Sequence, residues 1–317
     1  MYIKWYELAT KAMGYEVIGK PAIKEFKDII ITGMGGSGIV GDVIYSLLYT
    51  RSRTPITVVK DFRMPGWVSK DSLVCVISYS GNTLETLSAA LDAMNAGAEV
   101  CVVASGGKLL EFAISKGLTY VKVDQGLAPR AAFPLLLIAT LKALEFYGIN
   151  VHGNLGRSLN VLKYTSEVDS VAKELAFFIF NSLPVILSSC RLYPIAMRFK
   201  NELNENSKIM AKVEVIPEWG HNDIVGWELP LDVIRAVVVY DGDPLMEFVA
   251  RFLRDLKVPT YVFNLEGDDL LSKILYGVYV AGLASIYLAE LRKVDPVVTR
   301  SIDRYKEFLN SRISINA

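Results

Sequence analysis

Histidine is nearly missing from this 317-residue chain: there are two, His152 and His221. Neither HxH nor HExxH spacing occurs, which excludes a histidine-rich metal centre, and no motif supports a carboxylate one. Cysteine is scarce too, at three residues. The number is odd, there is no CxxC pair, and Cys75, Cys101 and Cys190 all stand in apolar runs. Buried, reduced thiols in a cytosolic protein are expected, not a disulfide framework. Net charge is absent, since 34 basic residues balance 34 acidic ones. That argues against a nucleic-acid surface and against a polybasic membrane surface. No apolar run reaches the ~20 residues of a membrane span. The longest, 274–289, is interrupted by Gly277, Gly282 and Ser285 and reads as a core helix or a subunit interface. The N-terminus, MYIKWYE, lacks a signal-peptide apolar region, so a cytoplasmic location is expected.

What is present is apolar bulk. Hydrophobic residues make up 52% of the chain, enough for full cores in two domains of ordinary size. In the first half, β-branched runs alternate with helix-like stretches. DIIIT (28–32), PITVV (55–59), LVCVI (73–77), EVCVVA (99–104) and TYVKV (119–123) read as strands, and 39–49 and 131–147 as helices. The runs are continuous, not alternating, which predicts parallel strands covered on both faces and a doubly wound α/β fold. The second half repeats the theme. A long connecting helix is predicted over 154–181, strands over 184–188, 214–216, 234–240 and 260–263, and helices over 194–205, 269–293 and 301–309. Two halves, 1–150 and 151–317, suggest an internal duplication with the cleft between them as the default binding site.

Two loops carry most of the chemistry. Gly33-Met34-Gly35-Gly36-Ser37-Gly38 and Ser78-Tyr79-Ser80-Gly81-Asn82-Thr83 each follow a strand-like run and lead into a helix-like one. Glycine turns at helix starts present unpaired N–H groups, and helix N-termini favour anions. The hydroxyls of the second loop add donors for phosphate oxygens. Gly33, Gly35 and Gly38 also satisfy G-x-G-x-x-G, so a dinucleotide enzyme is a rival. Against it, Asp61 lies beyond the ~20-residue offset of a ribose-binding acid. Ser37 suits a terminal phosphate, and the hydroxyl loop has no part in a dinucleotide site. Two tight structural turns remain the plain alternative.

Four further segments hold polar residues in apolar surroundings. Arg130, in APRAAFP, stands at the start of an apolar helix, where its charge opposes the dipole and calls for an anionic partner or a salt bridge. KNELNENSK (200–208) places Glu202 and Glu205 on one helix face, and either could act as a proton-transfer base or lie in a solvated face. His221, in PEWGHND, has loop character and can move a proton near neutral pH, or be an ordinary surface histidine. Lys306 lies on a terminal amphipathic helix, where a surface role is the default.

Taken in order, GMGGSG, SYSGNT, PRAAFP, NELNENSK, PEWGHNDIVGW and the DPxxxxxIDxxK tail resemble the bifunctional phosphoglucose/phosphomannose isomerases of archaea, in the phosphoglucose isomerase superfamily. The resemblance covers nearly the whole chain. It implies two sugar-isomerase (SIS) subdomains, each a parallel, flavodoxin-like sheet flanked by helices. It assigns a sugar 6-phosphate grip to Ser37, Ser78, Ser80 and Thr83 with the backbone of Gly35 and Gly36. Arg130 is implied beside the reacting carbons, Glu205 as the base, His221 with Lys306 in ring opening, and Thr299 in accepting the mannose epimer. It further implies no metal or other cofactor, and a homodimer in which His221 is donated across the interface. The 274–289 and 154–181 helices are the candidate interface elements. Phe133-Pro134 departs from the smaller residues of relatives.

Overall fold

The computed structural model describes residues 1–20 and 25–312. The chain forms two compact units, and they do not follow a single cut at 150/151. Glu7–Gly153 and the described residues from Thr299 onward make the first unit, while Met1–Tyr6 and Asn154–Val298 make the second. The ends of the chain are thus exchanged, and the terminal helix belongs with the first unit.

After α1 (Trp5–Ala12), the first unit runs β1 (Asp28–Thr32), α2 (Gly35–Leu48), β2 (Ile56–Val59), β3 (Ser72–Ser78), α3 (Leu84–Asn95), β4 (Glu99–Ala104), α4 (Gly107–Ser115), β5 (Thr119–Lys122) and α5 (Phe133–Phe146). Its five strands are all parallel, in the order β2-β1-β3-β4-β5. The central strand β3 is buried along its whole length, as an unbroken SLVCVIS run requires. Ile30 pairs with Val74 and Val74 with Val100, so one face of the sheet is a continuous β-branched layer. The order 2-1-3-4-5 reverses direction between β1 and β3. In doubly wound sheets ligands bind at that switch point, outside the carboxyl ends of the strands.

The second unit contains α6 (Leu155–Ser158), α7 (Ser166–Phe178), β6 (Leu183–Ser189), α8 (Tyr193–Ser207), β7 (Lys212–Ile216), β8 (Ile234–Tyr240), α9 (Pro244–Asp255), β9 (Thr260–Asn264) and α10 (Leu270–Leu291). Its four strands are also parallel, in the order β7-β6-β8-β9, with the switch between β6 and β8. The final helix, α11 (Arg300–Arg312), counts with the first unit.

Three expectations change. The stretch 154–181 is not one helix. Asn154 caps α6 by accepting from Arg157 N–H at 3.0 Å, and Thr165 caps α7 by accepting from Val168 N–H at 3.3 Å. Two N-cap residues inside one run begin two helices. The apolar 274–289 stretch belongs to α10, which is mostly buried inside its own unit against α8 and α7 and so is unavailable as a subunit interface. Its glycines explain the packing: a Cβ at Gly277 would lie 2.7 Å from Ile195, and one at Gly282 would lie 3.0 Å from the Tyr2 ring. Cys190 is exposed, because it stands in the 3-10 turn between β6 and α8 and not in a strand, whereas Cys75 and Cys101 are buried.

Candidate functional site

The loop after β1 begins α2 without a side-chain cap from Met34 and without an acidic residue in the first turn. The loop after β3 begins α3 with no side-chain cap from Thr83 either, although Glu85 stands in its first turn. Two helix starts at neighbouring strand ends therefore keep N–H donors for an anion. Lys60, at the end of β2, pairs with Asp42 of α2 at 2.5 Å and adds a cation beside the glycine loop. Burial pushes the Asp42 carboxyl up, and Lys60 opposes that shift. The acid weighed for a ribose, Asp61, accepts from its neighbour Phe62 N–H at 2.6 Å and so caps its own turn.

The hydroxyls are oriented by the backbone. Ser37 Oγ accepts from Tyr79 N–H at 3.1 Å, which ties the first loop to the second. Ser80 Oγ accepts from Asn82 N–H at 3.3 Å. Ser78 Oγ accepts from Gly81 N–H at 3.2 Å and donates to Thr83 Oγ1 at 3.2 Å. Each acceptor bond occupies one oxygen lone pair and leaves the O–H of Ser37, Ser80 and Thr83 able to donate to a ligand. Ser78 differs: it is 1% exposed and both of its hydrogen bonds serve the turn, so it braces the hydroxyl loop from beneath.

Arg130 arrives on a third loop. It is buried, on the turn in which Ala131 N–H and Ala132 N–H donate to Ala128 C=O at 2.8 and 3.2 Å. Gly36 lets this turn close on the first loop, since a Cβ there would lie 3.3 Å from Arg130 Cα and Pro129 O. The sequence therefore placed Gly35, Gly36, Ser37, Ser78, Ser80, Thr83 and Arg130 in one region, and the structure gathers them at the switch point of the first sheet.

Sequence reasoning missed the supports. Ser105 N–H and Oγ–H both donate to Tyr79 C=O, at 3.0 and 2.6 Å. Leu109 N–H donates to Gly81 C=O at 2.9 Å, and Lys108 N–H to Asn82 Oδ1 at 3.1 Å. Gln125, the single glutamine, donates to Ser105 C=O at 2.8 Å. The SGGK turn after the fourth strand was the legible signal for this brace.

The other expected residues divide between the units. Thr299 is half-buried and opens α11 by accepting from Ile302 N–H at 2.9 Å; Lys306 is exposed on that helix, in the first unit. Glu205 and His221 belong to the second unit. Glu202 and Glu205, alike in sequence, part company on α8. Glu202 is buried beside Arg198, accepts from Asn206 Nδ2 at 2.8 Å and takes the Tyr2 hydroxyl, whereas Glu205 is half-exposed in the last turn. His221 is exposed on the 3-10 turn Glu218–His221, between two buried tryptophans. Trp219 packs edge-on against Phe252, and Trp227 Nε1–H donates to Glu214 at 3.0 Å. Burial pushes the Glu214 carboxyl up, against the pull of Lys212 at 2.7 Å.

The equivalent switch point of the second sheet is filled by the chain itself. Asp241, after β8, pairs with Arg191, after β6, at 2.6 Å and takes Lys273 at 3.8 Å. Asp243 caps α9, accepting from Leu245 N–H at 2.8 Å. The candidate anion site lies on the first sheet. Among the described residues, no three His, Cys, Asp or Glu side chains gather as a metal site.

Residues 168–309 match the family model for the bacterial phospho-glucose isomerase C-terminal SIS domain. The chain is 35% identical over 295 residues to a bifunctional phosphoglucose/phosphomannose isomerase of Aquifex aeolicus, covering 90% of this chain and 91% of that one. A protein of the same description from Aeropyrum pernix is 33% identical over 337 residues, covering 100% and 99%. A more distant relative, 29% identical with 97% and 96% covered, is a D-glucosamine-6-phosphate 4-epimerase of Sulfolobus acidocaldarius. Among solved structures, the C-terminal domain of glucosamine-fructose-6-phosphate aminotransferase from Francisella tularensis superposes with a TM-score of 0.71. It is 16% identical and 93% and 96% of the two chains are covered, a likeness of fold.

Proposed function

Because the chain belongs to the bifunctional phosphoglucose/phosphomannose isomerase family, we propose that it interconverts glucose 6-phosphate and mannose 6-phosphate with fructose 6-phosphate. The observation that carries the reading is the pairing of two helix starts without side-chain caps with the hydroxyls of Ser37, Ser80 and Thr83, each still able to donate, at one switch point beside buried Arg130. Such a site takes a compact dianion, and its binding energy positions the sugar carbons for reaction. His221, with Lys306, moves a proton at the ring oxygen and opens the sugar. Glu205 takes the proton from C2 of the aldose and returns it to C1, through a cis-enediolate. Arg130 opposes the charge that develops on the enediolate oxygens. Thr299 borders the space in which rotation about C2–C3 presents the mannose epimer to the same base.

The proposed assembly is a homodimer in which each chain lends His221 to its partner. Its support is the strip of exposed apolar side chains that follows His221, Val225, Leu229 and Leu231, of which Leu229 is 90% exposed. Light scattering on the full chain tests it, and a monomer at assay concentrations refutes it. The activity itself is tested by coupled assays with glucose 6-phosphate and mannose 6-phosphate, each read as fructose 6-phosphate formed. Turnover of both is expected. Turnover of neither, or 4-epimerisation of glucosamine 6-phosphate in their place, overturns the reading.

A further inference from the structure

Tyr79 sits at the centre of the three converging loops, yet its type is not one that grips phosphate. It is buried, at 5% exposure, and each of its polar groups reaches a different segment. Its N–H donates to Ser37 Oγ of the first loop at 3.1 Å. Its C=O takes two donors from Ser105, at 2.6 and 3.0 Å. Its phenol donates to Asp124 C=O at 3.0 Å and accepts from Leu127 N–H at 3.0 Å. Leu127 leads directly into the turn that carries Arg130. The same segment is held from behind by Tyr15, whose hydroxyl accepts from Asp124 N–H at 3.1 Å, and by Lys11, paired with Asp124 at 2.6 Å.

The chemistry of the connection is specific. Burial pushes the Tyr79 phenol up, so its O–H stays a donor at neutral pH. Residues 124–127 have no regular secondary structure of their own to hold them, and the two hydrogen bonds to the Tyr79 phenol act with those of Tyr15 and Gln125 to set their path. We propose that Tyr79 is a positioning residue. It couples the hydroxyl loop to the segment before Arg130 and so holds the guanidinium where the reacting carbons lie once the phosphate is gripped. The role rests on the isomerase reading above. It does not require Tyr79 to touch substrate.

Tyr79→Phe is the test, because it keeps the ring and all three backbone hydrogen bonds and removes only the phenol contacts. In the full-length enzyme, kcat should fall about tenfold, as a sub-ångström misplacement of a charge-stabilising group implies. KM for fructose 6-phosphate and the inhibition constant of inorganic phosphate should stay within about twofold, since the grip itself is intact. Combined with Arg130→Lys, the two losses should not multiply, because both act through one group. A structural role alone would lower the melting temperature and leave the kcat-to-KM split unmoved. Unchanged kcat, a parallel rise in KM and the phosphate constant, or losses that multiply with Arg130→Lys would each overturn the proposal. A readout independent of turnover separates it from the isomerase reading. Buried Arg130 should react slowly with phenylglyoxal in the wild type and several-fold faster in Tyr79→Phe, followed by mass spectrometry. Equal rates refute the coupling even if the substrate proves to be different.

Discussion

One methyl group should separate two glycines that share a left-handed backbone. At Gly81, φ is +66° and a Cβ would lie 1.8 Å from Gly106 O, with Gly106 C at 2.9 Å and Gly107 Cα at 3.3 Å. All three are backbone atoms, so no side chain can swing aside. Restoring ordinary contact near 3.4 Å requires the hydroxyl loop and the turn beneath it to part by roughly 1.5 Å. That separation breaks the bonds from Leu109 N–H to Gly81 C=O at 2.9 Å and from Lys108 N–H to Asn82 Oδ1 at 3.1 Å. A misplacement of about 1 Å costs on the order of 100-fold in rate, so Gly81→Ala should lower kcat/KM by about that factor, with a raised phosphate inhibition constant. Gly117 is the control. Its φ is +64°, but nothing lies within 4 Å of its Cβ position. Gly117→Ala therefore meets only the left-handed backbone penalty of about 1–2 kcal/mol, seen as a lower unfolding midpoint. The assay is steady-state isomerisation of fructose 6-phosphate with phosphate as inhibitor, alongside urea unfolding. Wild-type kcat/KM in Gly81→Ala would refute the argument that loop and turn are interlocked through backbone.

Other outcomes follow from the same geometry. Glu205→Gln should abolish turnover while fructose 6-phosphate still binds by calorimetry; retained turnover removes Glu205 as the base. Thr299→Ile should harm mannose 6-phosphate turnover more than glucose 6-phosphate turnover, and equal losses dismiss Thr299 from epimer choice. Arg198→Met leaves Glu202 buried without its cation and should destabilise the chain by about 3–5 kcal/mol in urea unfolding. Arg198→Met with Glu202→Leu should recover most of that loss, and no recovery would mean that the ion pair is not the cause. Lys173, then the Tyr164 and Tyr287 hydroxyls, hold the Asp169 carboxyl down to about 2 from 3.8. Its contribution is complete above the unfolded value and disappears as pH falls through about 2. The gap in unfolding free energy between wild type and Asp169→Asn, about 1 kcal/mol for these exposed partners, should be present at pH 6 and vanish near pH 2. A gap that persists at pH 2 contradicts the assignment.

How much could be read in advance depended on the range of the interaction. Runs such as DIIIT and SLVCVIS announce buried parallel strands because burial on both faces leaves no polar period. The two loops were legible because a strand, a glycine turn and a helix start are neighbours in sequence. The two caps at Asn154 and Thr165 were equally local, yet the apolar residues around them masked the break between α6 and α7. Helix α9 went unread although its start is marked locally, with Asp243 as the cap and Pro244 at the first position. The apolar run around Cys190 predicts a buried thiol, but the residue opens a 3-10 turn past the end of β6 and is exposed.

By itself, then, the sequence determined the α/β class, the parallel sheets, the glycine and hydroxyl loops at the strand ends and, through the order of its motifs, the family. These are properties of short segments, set by backbone sterics and hydrophobic period. Only the tertiary structure decided that Glu202 is a buried partner of Tyr2 and Arg198 while Glu205, three residues on, stays half-exposed. It also decided that Ser78 braces the hydroxyl loop from within, that the second sheet fills its own switch point with Asp241, and that Tyr79 joins three loops. Those roles depend on which side chains meet across tens or hundreds of residues. Side-chain burial and hydrogen-bond partnership are set by that meeting, and the local pattern of a chain carries no record of it.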